Sequence, residues 1–274
     1  TAAQHGDADF FVFRTDFFFR YGLTDRTELS LDLPYIRNEI RTEQSDEHHR
    51  DEVLEGLGDV RLSLKHFFVA EKKFQVAGIF GLSVPTGKIN RITRASYIDH
   101  DEGGRLGITI PRHSHLQLGT GTFDPFVGLE AVYRLDKGWM IYGSVVANLP
   151  FYKNRYAYRT APNVNLAVGP ALSLGKSRVI LSLLANVYYA GRDQFRGKDI
   201  YGLGGVVDGD LGVPNTGRLE FSLQPNLSWA VNKNLTLNVN LNVPIYTRIR
   251  TNSLDRDVQL TEQVGVFLGM SWHF

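Results

Sequence analysis

The chain has 274 residues, a formal net charge of +1 and no cysteine. These values exclude a disulfide framework and a cysteine-ligated metal, and they offer no electrostatic attraction to nucleic acid. Mean hydropathy is −0.18 and no run approaches the ~20 apolar residues of a transmembrane helix. Two readings survive: a soluble β protein, or a membrane barrel in which half of each strand faces a polar lumen. Thr1 reads as the start of a processed or truncated chain, so the lack of a leader carries no weight against export.

Alternation of period two is the dominant pattern, and a strand separates such sets where a helix would smear them. In 10–21, Phe11, Phe13, Phe17, Phe19 and Tyr21 oppose Arg14, Asp16 and Arg20, with Phe18 as the exception. In 28–36, Leu29, Leu31, Leu33 and Tyr35 oppose Glu28, Ser30 and Asp32. In 59–68, Val60, Leu62, Leu64 and Phe68 oppose Asp59, Arg61, Ser63 and Lys65. Segments 74–84, 122–135, 139–151, 163–174 and 178–190 follow, with Glu130 and Arg134 on the polar face of the second of these. In 219–229, Leu219, Phe221, Leu223, Leu227 and Trp229 oppose Glu220, Ser222, Gln224, Asn226 and Ser228. Segment 235–246 is the cleanest, with Leu235 through Ile245 against Thr236, Asn238, Asn240 and Asn242. The last, 258–274, ends in "FLGMSWHF", with Val264, Val266, Leu268, Met270, Trp272 and Phe274 on one face.

The connections alternate in length. Short turns fall at 23–26, 70–73, 135–138, 174–177 and 231–234, and long polar segments at roughly 38–56, 86–120, 152–162, 191–216 and 248–257. Short turns at one end and long loops at the other are the layout of an outer-membrane barrel. The segments exceed the 5–6 residues usual in soluble strands and suit the ~9–11 that cross a bilayer at a tilt. Trp139 follows one short turn, Trp229 precedes another and Trp272 lies two residues from the end, so all three are expected at the short-turn rim, where an interfacial aromatic belt belongs, and Phe274 joins them. Core tryptophans of a soluble protein have no reason to gather there. The fold class expected is therefore all-β: one antiparallel transmembrane up-and-down barrel over 1–274, with short periplasmic turns and long extracellular loops. Eleven strands are identified, whereas bacterial barrels usually have an even number. Twelve are expected in the intact protein, the missing one preceding residue 8; the alternatives are an odd-stranded barrel or a partner that supplies the seam.

Four stretches carry a resemblance: "RYGLTDRTELSLDLPYI" (20–36), "GLGDVRLSLKHFF" (56–68), "GLSVPTGK" (81–88) and "LGTGTFDPFVGLEAVY" (118–133). Together they resemble the outer-membrane barrel family labelled as a meta-pathway (phenol degradation) transporter. The resemblance covers the first half well and the second half only as generic barrel. It implies an outer-membrane location and uptake of small, often aromatic, compounds, and it brings no catalytic residues. Physically, "GLTDR" reads as a tight turn, and "PTGK" as a strand break made by Pro85 and Gly87.

Function is sought first in the lumen. The inward set would include Arg14, Asp16, Arg20, Glu28, Asp32, Asp59, Arg61, Lys65, Glu130, Arg134 and Glu220. These charges either select passing solutes or form ion pairs that fill a narrow barrel, since twelve strands lie between side-chain-filled and water-filled sizes. The second half offers a neutral wall of Asn165, Ser173, Ser182, Asn186, Asn238, Asn240 and Asn242. In the loops, "EQSDEHHRDE", "DHDE" (99–102) and "HSH" (113–115) hold possible cation ligands but no standard metal spacing, and no metal or other cofactor is expected. "FYKNRYAYR" (151–159) reads as an interfacial belt or as a stacking surface at the mouth. No nucleophile–base pair and no GxSxG assembles, so no enzyme is expected. The expected function is an outer-membrane channel or transporter-like barrel for passive passage of small solutes, hydrophobic or aromatic compounds among them. The alternative is a docking barrel that anchors a cell-envelope protein through its long loops. Expected partners are the lipid bilayer with lipopolysaccharide, and the barrel-insertion machinery, whose recognition signal the terminal strand ending in Phe274 resembles.

Overall fold

A computed structural model describes residues 8–42, 52–89, 117–197, 209–212, 216–249 and 264–272. In chain order the strands are β1 (Ala8–Thr24), β2 (Thr27–Thr42), β3 (Glu52–Leu57), β4 (Val60–Ala70) and β5 (Phe74–Val84). Next come β6 (Asp124–Arg134), β7 (Trp139–Asn148), β8 (Tyr158–Arg159), β9 (Asn163–Ser173) and β10 (Val179–Ala190). The remainder are β11 (Gln194–Gly197), β12 (Gly209–Gly212), β13 (Arg218–Ala230), β14 (Leu235–Ile249) and β15 (Gly265–Trp272). The main sheet runs β1-β2-β4-β5-β6-β7-β9-β10-β13-β14-β15, every pairing antiparallel. Among the described residues it forms a nearly closed eleven-stranded barrel with one unsealed seam: of the twelve strands expected, eleven are seen there, and β1 and β15 are the sheet edges.

Burial is inverted relative to a soluble protein. Buried side chains include Asn38, Asp124, Asn186, Glu220 and Ser222, while Leu62, Phe80, Leu129, Ile141 and Leu183 are exposed and Leu268 is 80% exposed. A water-soluble sandwich buries the apolar set; here that set faces outward all round the wall, as lipid requires. Among the described residues the buried apolar side chains are few, Phe126 and several alanines among them, and they cluster at Leu54 and Leu118 with Ile36 packed against them.

Beyond the expected strand limits, β2 continues to Thr42 and pairs with β3, from Tyr35↔Leu57 to Ile40↔Glu52. Its outward side chains there are charged, and Arg37 Nη1 lies 3.0 Å from Glu55 Oε2. The hairpin continues past the apolar band because its backbone ladder stays intact where the outward side chains turn from apolar to charged. Between β3 and β4 one extra residue intervenes, since Leu33 and Pro34 of β2 face three residues, Gly58, Asp59 and Val60. This is a bulge: Pro34 has no N–H to give, and its carbonyl accepts Gly58 N at 2.8 Å. Pro244 marks a second register shift, between Phe221 and Ser222.

The five expected turns join strands at one end. Lys137 (φ 57) and Gly138 (φ 85) make one, Gly175 (φ 56) and Arg178 (φ 55) another. Two of the long connections at the other end build a small second sheet, ordered β12-β11-β8. Among the described residues no helix is long and apolar enough to cross a membrane.

Candidate functional site

Three of the stretches that carry the family resemblance meet at one carboxylate. Asp59, in the bulge, accepts Gly87 N (2.9 Å) on one oxygen and Thr120 N (2.6 Å) on the other. Thr120 Oγ1 lies 3.0 Å from Asp59 and 2.7 Å from Asp124, so its single proton serves one carboxylate at a time. Thr122 Oγ1 also donates to Asp124 (2.6 Å), and Thr122 is only 1% exposed. Thr86 Oγ1 donates to Gly58 O (2.7 Å) and accepts Val60 N (2.9 Å), stitching the backbone groups that the bulge leaves out of the ladder. The glycines are forced by close approach: a Cβ on Gly87 would stand 2.5 Å from Leu118 O, and one on Gly119 2.1 Å from Asp59 Oδ1. "PTGK" thus ends a strand and also clamps the loop end 117–122 over the barrel. Asn38 Nδ2 to Gln117 O (3.1 Å) and Asn154 Nδ2 to Thr120 O (2.9 Å) complete the clamp.

Beneath this clamp lies a cavity of about 550 Å³, within the size range of small-molecule sites. Its lining comes from ten of the eleven barrel strands, and Leu118 to Thr120, Asp193 and Thr216 close it from the loop side. Of the sequence-predicted residues, Arg14, Asp59 and Arg61 line it. Arg61 reaches over β5 and β6 to donate to Asn148 Oδ1 (3.2 Å), its Cζ 4.1 Å from the Phe126 ring centroid on β6. That ring lies on Gly81, where a Cβ would be 2.1 Å away. Arg14 is bound to Asp16 at 2.8 Å.

Of the other predicted charges, Arg20, Glu28, Lys65, Glu130 and Arg134 lie nearer the short turns, whereas Asp16 and Asp32 stand level with Pro34 and Arg61 in register and Glu220 lies near the loop-side end of β13. Lys65 and Glu130 form an ion pair across β5, above Ala77, the register partner of Glu130. Arg20 approaches Glu28 (3.8 Å), which accepts Ser30 Oγ (3.1 Å). Arg134 donates to Gln75 Oε1 (3.0 Å). Asp32 stands opposite Arg61 in register, with one buried oxygen lacking a hydrogen-bond partner among the described residues. Glu220, 2% exposed, accepts Asn242 Nδ2 at 3.4 Å. On the same wall short polar side chains bond to one another: Asn186 Nδ2 to the Ser222 hydroxyl (3.3 Å), and amide to amide from Gln224 to Asn242 (3.2 Å) and from Asn240 to Asn226.

Trp139 and Trp229 are exposed beside short turns, and Trp272 pairs in register with Leu235 at the start of β14. Phe274, "DHDE", "HSH" and nearly all of "EQSDEHHRDE" lie outside the described residues. "FYKNRYAYR" divides: Phe151 is exposed, while Tyr158 donates its hydroxyl to Asp193 and Arg159 Nη2 donates to Gln194 Oε1 (2.7 Å). Burial pushes the Asp193 carboxyl above the usual range, opposed by Tyr158 and by the Ala161 N–H at 2.7 Å. Sequence reasoning missed Phe126, Asn148, Tyr188 and Arg218. Parity with Glu130, and with Asn186 and Glu220, places three of them, Phe126, Tyr188 and Arg218, inside.

No family model matches the chain, and no curated protein matches it. Among solved structures it is similar to a crystal structure of an outer membrane channel from Pseudomonas putida F1, with a TM-score of 0.59 and 14% sequence identity. The match covers 97% of this chain and 82% of that one. The likeness is one of fold.

Proposed function

We propose that the protein is an outer-membrane channel or transporter-like barrel of a Gram-negative cell envelope that passes small solutes passively, hydrophobic or aromatic compounds among them. One observation carries this reading: a cavity of about 550 Å³ inside the barrel, reached by ten strands of the wall. The outward apolar face supports a bilayer setting, and the structural neighbour described as an outer membrane channel supports this location and role. On this reading the short turns are periplasmic, the long loops face outward among lipopolysaccharide, the insertion machinery assembles the barrel, and no catalysis is involved. The lumenal charges act as the solute filter, and the tryptophans anchor the periplasmic rim. Purified protein in planar bilayers should give discrete conductance steps. A barrel that inserts, retains its β structure and stays silent overturns the reading. The alternative of a docking barrel draws support from the loop sheet β8-β11-β12, a structured platform at the loop end. Silent barrels together with a co-purifying envelope protein would favour it.

A further inference from the structure

We infer that the cavity beneath the loops is a binding site for a small organic carboxylate with an apolar body, anchored by Arg61. The cavity wall carries three arginines, Arg14, Arg61 and Arg218, and three aspartates, Asp59, Asp124 and Asp193. The aspartates are engaged internally: Asp59 by Gly87 and Thr120, Asp124 by Thr120 and Thr122, Asp193 by Tyr158 and Ala161. A cationic solute would have to break those bonds to find a partner. Arg14 is held by Asp16. Arg61 differs, because its direct contacts are with neutral groups, the Asn148 amide oxygen and the Phe126 ring. Asp32, across the strand, forms no ion pair with it among the described residues.

A guanidinium has five N–H donors in a planar fork that matches a carboxylate bidentately, and the bond to Asn148 accounts for one nitrogen of that fork. The fork is also held in place. Phe126 is 6% exposed and seated on Gly81, so the stacked head has little freedom left to lose when a ligand binds. Arg218 also lines the cavity, 4.7 Å from the centroid of the Tyr188 ring on β10. The body of the ligand has its own surface: Pro34, Ile36 and Leu118 line the same cavity, on the strand that pairs with β4 and on the clamped loop. A carboxylate head beside Arg61 and an apolar body on Pro34, Ile36 and Leu118 use both chemistries of the wall.

This inference names a solute class for the channel proposed above, but binding can be measured without transport. Titration calorimetry on the full chain in detergent should compare benzoate, benzyl alcohol, benzylamine and acetate. Benzoate should bind tightest, with benzyl alcohol (no charge), benzylamine (opposite charge) and acetate (no ring) each weaker. Arg61→Gln should weaken benzoate about tenfold to a hundredfold, the scale of a charged hydrogen bond, and leave benzyl alcohol unchanged. Arg61→Lys, which keeps the charge and loses the fork, should fall between. Equal binding of benzoate and benzyl alcohol, tighter binding of benzylamine, or unchanged benzoate affinity in either folded variant overturns the inference; if neither variant folds, the wild-type probe series decides it. Conductance of the same preparation separates the two claims. A conducting barrel that ignores benzoate removes the carboxylate site and keeps the channel; a silent barrel that binds benzoate through Arg61 does the reverse.

Discussion

The wall from β2 to β7 and the wall from β9 to β14 solve the same problem differently. Both must keep polar groups satisfied in an interior shielded from lipid. In the first, long charged side chains cross over a strand of small ones: Lys65 meets Glu130 above Ala77, and Arg61 lies on Phe126, which lies on Gly81. In the second, short amides and hydroxyls bond to near neighbours on adjacent strands, Asn186 with Ser222, Gln224 with Asn242, Asn240 with Asn226. The first arrangement fixes long side chains and loops in place at the cost of lumen space. The second keeps its side chains close to the wall. The interior therefore has a rigid, charged side and a neutral side of short side chains, which on the proposed reading would be the selective and the permissive faces of the passage.

The largest break in that contrast is expected at the loop clamp. Asp59→Ala removes the acceptor for the Gly87 and Thr120 amides. The loss should be about 2–4 kcal/mol, from two or more stranded donors, read as earlier thermal unfolding in detergent, with larger and noisier conductance as the 117–122 segment loosens. Gly81→Val should follow. Its Cβ would stand 2.1 Å from the Phe126 ring, and overpacking of this kind costs about 1–3 kcal/mol; the displaced ring should also unseat Arg61 and reduce benzoate affinity.

A smaller effect is expected from Glu130→Gln. The pair with Lys65 is partly solvated, so the stability change should be about 1 kcal/mol or less. Ion selectivity, measured as reversal potential under a salt gradient, should move toward anions because Lys65 loses its counter-charge. On the neutral wall, Asn226→Ala should cost only about 0.5–1.5 kcal/mol and leave the reversal potential unchanged. Equal selectivity shifts from these last two substitutions would erase the distinction between the walls.

The smallest expected effect is one of pH at the loop sheet. The Asp193 carboxyl is raised by burial, so its protonated form is favoured in the fold. Its contribution to loop stability therefore increases as pH falls through its folded pKa and is lost as pH rises above it. Amide protection in β8 and β11, corrected for intrinsic exchange, should rise on acidification, and Asp193→Asn should abolish that rise.

Particular residues show how far the sequence reached. Leu235 to Ile245 alternate so strictly with Asn238, Asn240 and Asn242 that both the strand and its two faces follow from period two alone. The same parity puts Glu130, Phe126 and Asn186 on the cavity side. It fails at Asp59, which parity presents as a solute-facing charge and the structure uses as a clamp. The extent of β2 and the existence of β3, β8, β11 and β12 were also missed, because in those places the outward residues are polar and the lipid signal has ended. What the sequence determined by itself was the run of barrel-wall strands, their facing and the contrast between short and long connections, since each depends on neighbours two residues apart or on local turn chemistry. What only the tertiary structure decided was which charges are consumed. Asp59 finds Gly87 and Thr120 at separations of 28 and 61 residues, and Arg61 finds Asn148 at 87. Such pairings arise from the registers of the intervening strands and the bulge at Gly58, which sum over the whole barrel and are written in no single segment.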